Sequence, residues 1–249
     1  MPFGKISEAV EELKILPYLV WQNRIYQSKG YSIMASVQKF AETAVVNLLR
    51  HNDRTIQNPS NPDIDSSRSN QNYSLLSERS MSSYDYYKQR KSELYCYNRQ
   101  DVKVLAGWVV TAPKNLTVDN REKFFKETHM FLSNRYGSNN VIQSIVHQVE
   151  SGQPHLHFVF IPATADNNPK HHQNEKICAN NILNRKELRN FHPDLQKYLN
   201  ERGIKATILS GATKSQGGNR SVREMKNERE FFKRERVFGT KEYDRERIF

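Results

Sequence analysis

The chain has 249 residues, 37% of them hydrophobic and 26% charged, with ten glycines and nine prolines. These proportions exclude a collagen-like, a globally disordered and a membrane-embedded chain. Thirty-eight basic against 27 acidic side chains leave a formal charge of +11, an imbalance that points to a polyanionic partner, nucleic acid first. Cys96 and Cys178 lie far apart and outside any CxxC spacing, so reduced thiols are expected rather than a disulfide framework or a cysteine zinc site. The apolar stretch Ile15–Trp21 is short, is broken by Pro17 and follows acidic residues. It reads as neither a signal peptide nor a membrane span, and a cytoplasmic location with no stable membrane insertion is expected.

In chain order, Val10, Leu13 and Leu16 predict short amphipathic helices within residues 1–29. Tyr31–Phe40 reads as extended. Residues 42–50 read as a short helix that buries Val45, Val46, Leu48 and Leu49 and ends near His51. Residues 52–83 are rich in Asn and Ser and score as a loop, an unusual length for a segment without a binding role. Tyr84, Tyr86, Tyr87, Tyr95 and Tyr97 lie among Lys88, Arg90, Lys91 and Arg99, a mixture that suits base stacking or, equally, an ordinary amphipathic helix. Val102–Thr111 is a strand candidate. A helix capped by Asp119 then carries Phe124, Thr128, Phe131 and Tyr136 and ends at Gly137.

Two apolar runs, Val141–Val149 and His155–Pro162, flank a turn-prone segment and predict a β-hairpin. A polar loop follows over 165–181, with His171 and His172 read as solvated. The next helix, from about Asn184 to Glu201, has Asn184 and Glu187 at capping-box spacing and Leu188, Phe191, Leu195 and Leu199 as its apolar stripe. Pro193 is expected to kink or divide it and Gly203 to stop it. Beyond Ser210 the chain becomes polar and highly charged.

Five of the eight histidines fall between 147 and 172. In a strand, His155 and His157 share a face, while Leu156, Phe158 and Phe160 form an apolar face able to pack on helices. An antiparallel partner strand returns His147 beside them, so three imidazoles converge on one cation and leave a coordination position open, as in catalytic metal sites. Glu150 can complete that shell, hold a water or fix an imidazole tautomer. Imidazole ligands alone do not choose among Mn2+, Mg2+ and Zn2+. On a basic protein, the task of such an ion is to offset charge at an attacked phosphodiester.

The run His51-Asn52-Asp53-Arg54, followed by residues 61–73 with Arg68, Asn72 and Tyr73, resembles the first motif of the MobV-class relaxases, the Pre/Mob plasmid mobilisation and recombination family. Residues His147 to His157 resemble the third motif. The strand around Trp108 and the run from Arg220 to Lys226 are similar to further family elements. Val149 stands where the family carries an acidic residue, and one additional residue separates Glu150 from Pro154.

The resemblance implies an α+β fold of the HUH type, with a central antiparallel β-sheet that carries the metal-binding histidines and helices packed on the opposite face. It implies a catalytic domain over residues 31–212, between an N-terminal extension (1–30) and a charged, helical C-terminal segment (213–249). It also implies a metal-dependent, strand-specific DNA endonuclease and transesterase. His51 would be the nucleophile that becomes joined to a 5′-phosphate, assisted by Glu150, with His147, His155 and His157 holding Mn2+ or Mg2+, or else Zn2+. Arg54, Arg68, Asn72 and Tyr73 would contact origin-of-transfer DNA, single-stranded or hairpin. Conjugation coupling machinery and a second copy of the chain are the other implied partners. Two alternatives stand beside this reading: a basic DNA-binding module that does not cut, and a tyrosine-dependent HUH replication initiator using Tyr73 or the Tyr84–Tyr87 cluster.

Overall fold

The computed structural model describes residues 35–56, 70–113, 116–148 and 153–208. The N-terminal helices, the charged C-terminal segment, both domain boundaries, Arg68, Val149 and Glu150 lie outside the described residues. Strand β1 (Ala35–Ala41) leads through a 3-10 turn at Glu42–Ala44 into helix α1 (Val45–Asn52). The two-residue strand β2 (Tyr73–Ser74), helix α2 (Ser83–Ser92), strand β3 (Lys103–Thr111) and helix α3 (Val118–Tyr136) follow. Strands β4 (Val141–His147) and β5 (His155–Phe160) form the expected hairpin. The chain then makes β6 (Ala163–Ala165), β7 (Glu175–Ile177), α4 (Ala179–Ile182) and α5 (Arg185–Glu201).

Five strands form one antiparallel sheet in the order β1-β3-β5-β4-β2. The hairpin register sets His147 directly opposite His155 and Ile145 opposite His157, and β3 sets Val109 beside His157 on the other side. The alternation predicted for β5 holds. Leu156, Phe158 and Phe160 join Trp108, Val110, Phe124, Leu132, Phe191, Leu195 and Leu199 in one buried cluster under α3 and α5. Within that layer Trp108 stacks on Phe191 with ring centroids 3.5 Å apart. Val159 and Ile161 continue the histidine face into a second cluster with Val45, Leu49, Tyr87 and Leu94. The histidine face is therefore covered at its far end by α1 and α2, and its histidine end borders the C-terminus of α1.

Several local expectations are corrected by packing. Of the four apolar side chains of α1 only Val45 and Leu49 are buried, because one face of so short a helix meets the sheet, and Val46 is exposed. Leu188 is likewise exposed, leaving Phe191, Leu195 and Leu199 as the buried stripe of α5. The N-cap position of helix α3 is Thr117, which makes no side-chain capping bond, and Asp119 lies in the first turn. Asn184 caps α5 by accepting from the Glu187 backbone N–H at 3.0 Å. The Glu187 carboxylate does not return to the cap; it pairs with Arg135 at 2.7 and 2.8 Å and accepts from the Tyr136 hydroxyl. Pro193 lies inside α5 without dividing it, since proline removes one helical hydrogen bond while three buried apolar side chains hold the helix down.

The segments read as loops contain pairing that hydrophobic periodicity does not signal. Tyr73 and Ser74 pair with Val146 and Ile145, and the polar stretch after 165 contributes β7 to a two-stranded sheet with β6. His171 is not solvated: its ring stacks on Tyr95 at 3.3 Å between centroids and its Nδ1 is paired with Asp166. The tyrosine group also divides, with Tyr87 fully buried and Tyr84 and Tyr97 exposed.

Candidate active site

Helix α1 ends in two backbone hydrogen bonds, Arg54 N–H to the His51 carbonyl (3.3 Å) and Thr55 N–H to the Arg50 carbonyl (3.0 Å). This is a Schellman arrangement, whose penultimate position takes a left-handed conformation and favours glycine. Here that position is Arg54, at φ 56°, the one non-glycine residue with positive φ among the described residues. Holding a side chain there costs on the order of 1 kcal/mol, and its contacts give the reason. The Arg54 guanidinium donates to the His51 carbonyl (2.8 Å) and to His51 Nε2 (3.3 Å), and its other nitrogen donates to His147 Nδ1 (2.7 Å).

These bonds fix tautomers, because guanidinium can only donate and a carbonyl can only accept. His147 Nδ1 carries a lone pair toward Arg54, and its Nε2–H donates to the backbone carbonyl of Asn52 at 2.8 Å. His155 donates its Nδ1–H to the Gln153 carbonyl at 3.0 Å, leaving Nε2 as its lone-pair nitrogen. His157 Nε2 is buried and has no partner among the described residues. One nitrogen from each of His147, His155 and His157 lies within 4.8 Å of the others. The three ring centroids are 4.4 to 5.4 Å apart. The ring of His51 is 6.0 Å from that of His157. An unpaired buried imidazole nitrogen beside two oriented ones is a donor set that fits a divalent cation.

Burial and neighbouring charge act in the same direction on all four imidazoles. Burial, followed by the nearby Arg54 charge, pulls the His147 imidazole down to about 3. Burial and the other imidazoles hold His157 well below its ordinary value, and burial lowers His155. His51 is lowered too, first by burial and then by Arg54 and His155. All four are thus kept neutral near pH 7, the form that binds metal or attacks phosphorus.

The other residues picked out by sequence are placed differently. Asn72 accepts from the Gln148 backbone N–H at 3.0 Å, tying the start of β2 to the exit of β4. Tyr73 packs against the α3 and α5 cluster, on the face opposite the histidines. Tyr87 donates its hydroxyl to Glu42 and Tyr86 donates to the Asn139 carbonyl. Sequence reasoning missed Asn52 and Gln143, both buried and joined by a 2.9 Å bond from Asn52 Nδ2 to Gln143 Oε1. They stand 91 positions apart; Asn52 lies within the first-motif run without a role of its own, and no local pattern marks Gln143.

The chain as a whole is similar to known proteins. A family model described as plasmid recombination enzyme, Mob_Pre, matches residues 29–231. The chain is 30% identical over 183 residues to a plasmid recombination enzyme of Bacillus thuringiensis, covering 72% of this chain and 39% of that one. It is 28% identical over 208 residues to one of Lactiplantibacillus plantarum, covering 81% and 55%. The chain therefore spans about half or less of the length of these curated relatives. Among solved structures, it resembles the MobM relaxase domain bound to plasmid oriT DNA in a Mn-bound crystal structure. That match has a TM-score of 0.61 and 26% identity and covers 78% of this chain and 96% of that one.

Proposed function

The chain belongs to the Mob_Pre plasmid recombination enzyme family, and from that premise we propose that it is a relaxase that nicks one strand of origin-of-transfer DNA through His51. The observation that carries this reading is the convergence of His147, His155 and His157, with the His51 ring 6.0 Å from that of His157. His147, His155 and His157 would hold one divalent ion, Mn2+ by analogy with the MobM domain. When bound, the ion supplies Lewis acidity to a non-bridging phosphate oxygen.

In the proposed reaction, His51 Nε2 forms an N–P bond at the scissile phosphate while the P–O3′ bond breaks. The 3′ oxygen leaves as a hydroxyl, and the proton it gains is balanced by the Nδ1 proton that His51 gives up to solvent. Nε2 is the nitrogen that accepts from Arg54, so it carries the lone pair required for attack. On DNA binding Arg54 would turn its paired N–H groups from His51 to the phosphate, which frees that lone pair and neutralises the developing charge. Glu150 would hold a water or take up the released proton, and Arg68, Asn72 and Tyr73 would contact the DNA. The tyrosine alternative is disfavoured because Tyr73 faces away from the histidines and Tyr87 is buried. No helix among the described residues is long and apolar enough to cross a membrane.

The test is a cleavage assay on supercoiled plasmid carrying the chain's own origin, with Mn2+, comparing the parent with His51→Ala and His155→Ala. The expected result is relaxed plasmid and an acid-labile, denaturant-resistant protein–DNA adduct, both lost in each variant. An adduct that survives His51→Ala would overturn the nucleophile. Tight binding without strand scission under any divalent ion would identify a non-cutting DNA-binding module.

A further inference from the structure

Gln143 lies on β4, on the histidine face, opposite Val159 of β5. It is 1% exposed, among Leu49, Ile142 and Val159, surroundings that would ordinarily receive a leucine. Its amide is spent on a single target, the last turn of α1. Oε1 accepts from Asn52 Nδ2 at 2.9 Å, and Nε2 donates to the Leu49 carbonyl at 3.2 Å. Two bonds from one buried side chain set both the rotation and the depth of that turn against the sheet. Directional bonds between buried amides fix one arrangement where apolar contact would tolerate sliding, although Asn52 Oδ1 is itself buried without a partner among the described residues.

The turn gripped by Gln143 carries His51 and Asn52 and leads into Arg54. The Asn52 carbonyl is also the acceptor for His147 Nε2–H, at 2.8 Å. One clamp therefore bears on both the place of the candidate nucleophile and, together with the Arg54 bond to Nδ1, the tautomer of a candidate ligand. We infer that Gln143, acting through Asn52, is a positioning residue that registers the end of α1 on β4, and so keeps His147 as the Nε2–H tautomer and His51 within reach of the histidine cluster. The inference rests on the relaxase reading and extends it to residues that touch neither DNA nor metal.

The test uses Gln143→Met, which retains length and removes every amide hydrogen bond. In the metal-free protein, long-range 15N–1H correlation of the imidazoles reads the His147 tautomer. Titration calorimetry with MnCl2 reads metal affinity without DNA, and cleavage of supercoiled plasmid carrying the gene reads activity. The expected result is a tautomer mixture at His147, Mn2+ binding about tenfold weaker, and cleavage slowed with plasmid affinity unchanged within about twofold.

An unaltered Nε2–H tautomer and unaltered Mn2+ affinity, with only a lower melting temperature, would overturn the inference and make Gln143 merely structural. If the Met variant does not fold, Asn52→Asp removes the donor to Gln143 with the same side-chain shape, and the same outcomes decide. A parent protein that never cuts would refute the relaxase reading instead, and the comparison of His147 tautomers would still decide the role of Gln143.

Discussion

Arg54 and His147, 93 positions apart in the chain, are joined by a 2.7 Å hydrogen bond from the guanidinium to Nδ1. The imidazole lone pair that faces Arg54 is one a metal ion would use. An ion held by His147 through that nitrogen would displace the Arg54 bond, and guanidinium and ion would repel as like charges.

Replacing Arg54 by glycine separates backbone strain from chemistry. Glycine accepts the left-handed conformation at φ 56° without cost, which compensates for the lost side-chain bonds, so stability should stay within about 1 kcal/mol of the parent. Nicking should fall by about two orders of magnitude, as when a donor to a developing oxyanion is removed. Mn2+ should bind more tightly, because a competing positive charge is gone. Urea melts, single-turnover cleavage and Mn2+ calorimetry on one preparation check all three.

The metal-free protein should lose stability as pH falls. The folded-state values of His147, to about 3, and of His157 lie below the ordinary histidine value of 6.5. The unfolded chain therefore binds more protons between these limits, and stability rises with pH across the window. The full contribution is present above about pH 6.5 and is lost progressively toward pH 3. Thermal melts between pH 4 and 8 should show this slope, and His157→Phe should flatten it. Millimolar Mn2+ should raise the melting temperature of the parent, since a ligand of the folded state stabilises it by mass action, and a chelator should reverse the gain.

On the other face, Trp108 Nε1–H donates to the Tyr136 oxygen at 3.0 Å and the Tyr136 hydroxyl donates to Glu187 at 2.7 Å. Tyr136→Phe strips both the buried indole N–H and the carboxylate of a partner and should cost about 1–3 kcal/mol. Phe191→Ala, which removes the ring stacked on Trp108, should cost about 3–5 kcal/mol. Denaturant titration measures both, and the Mn2+ affinity of the folded fraction should be unchanged because the histidines point the other way.

Gly137 ends α3 at φ 87°, where an added Cβ would come within 2.9 Å of Asn140 Nδ2. Gly137→Ala should therefore destabilise by about 1–3 kcal/mol through backbone strain and displacement of Asn140 from the Tyr136 carbonyl, which it bonds at 2.8 Å. A thermal melt of the alanine variant against the parent measures it.

The period-two alternation of His155 to Phe160 was enough to assign one face of β5 to imidazole and the other to the core, because strand geometry turns sequence parity directly into direction. The turn-prone stretch before His155 was enough to bring His147 back across from it, since a short antiparallel connection leaves few registers. Motif likeness marked His51 and Arg54, whose type and spacing alone would pass for an ordinary helix end. What no local pattern carries is how α1 meets β4. The Arg54 bridge, the Asn52 carbonyl under His147 and the Gln143 clamp each join residues more than 90 positions apart. Their energy arises only once burial has removed water from both partners. The same holds for Tyr87, which burial turned from a candidate stacking residue into core, and for His171, which Asp166 and Tyr95 drew out of solvent. Periodicity determines the direction of a side chain along its own strand or helix, whereas the partner it meets there is decided by the packing of the whole sheet.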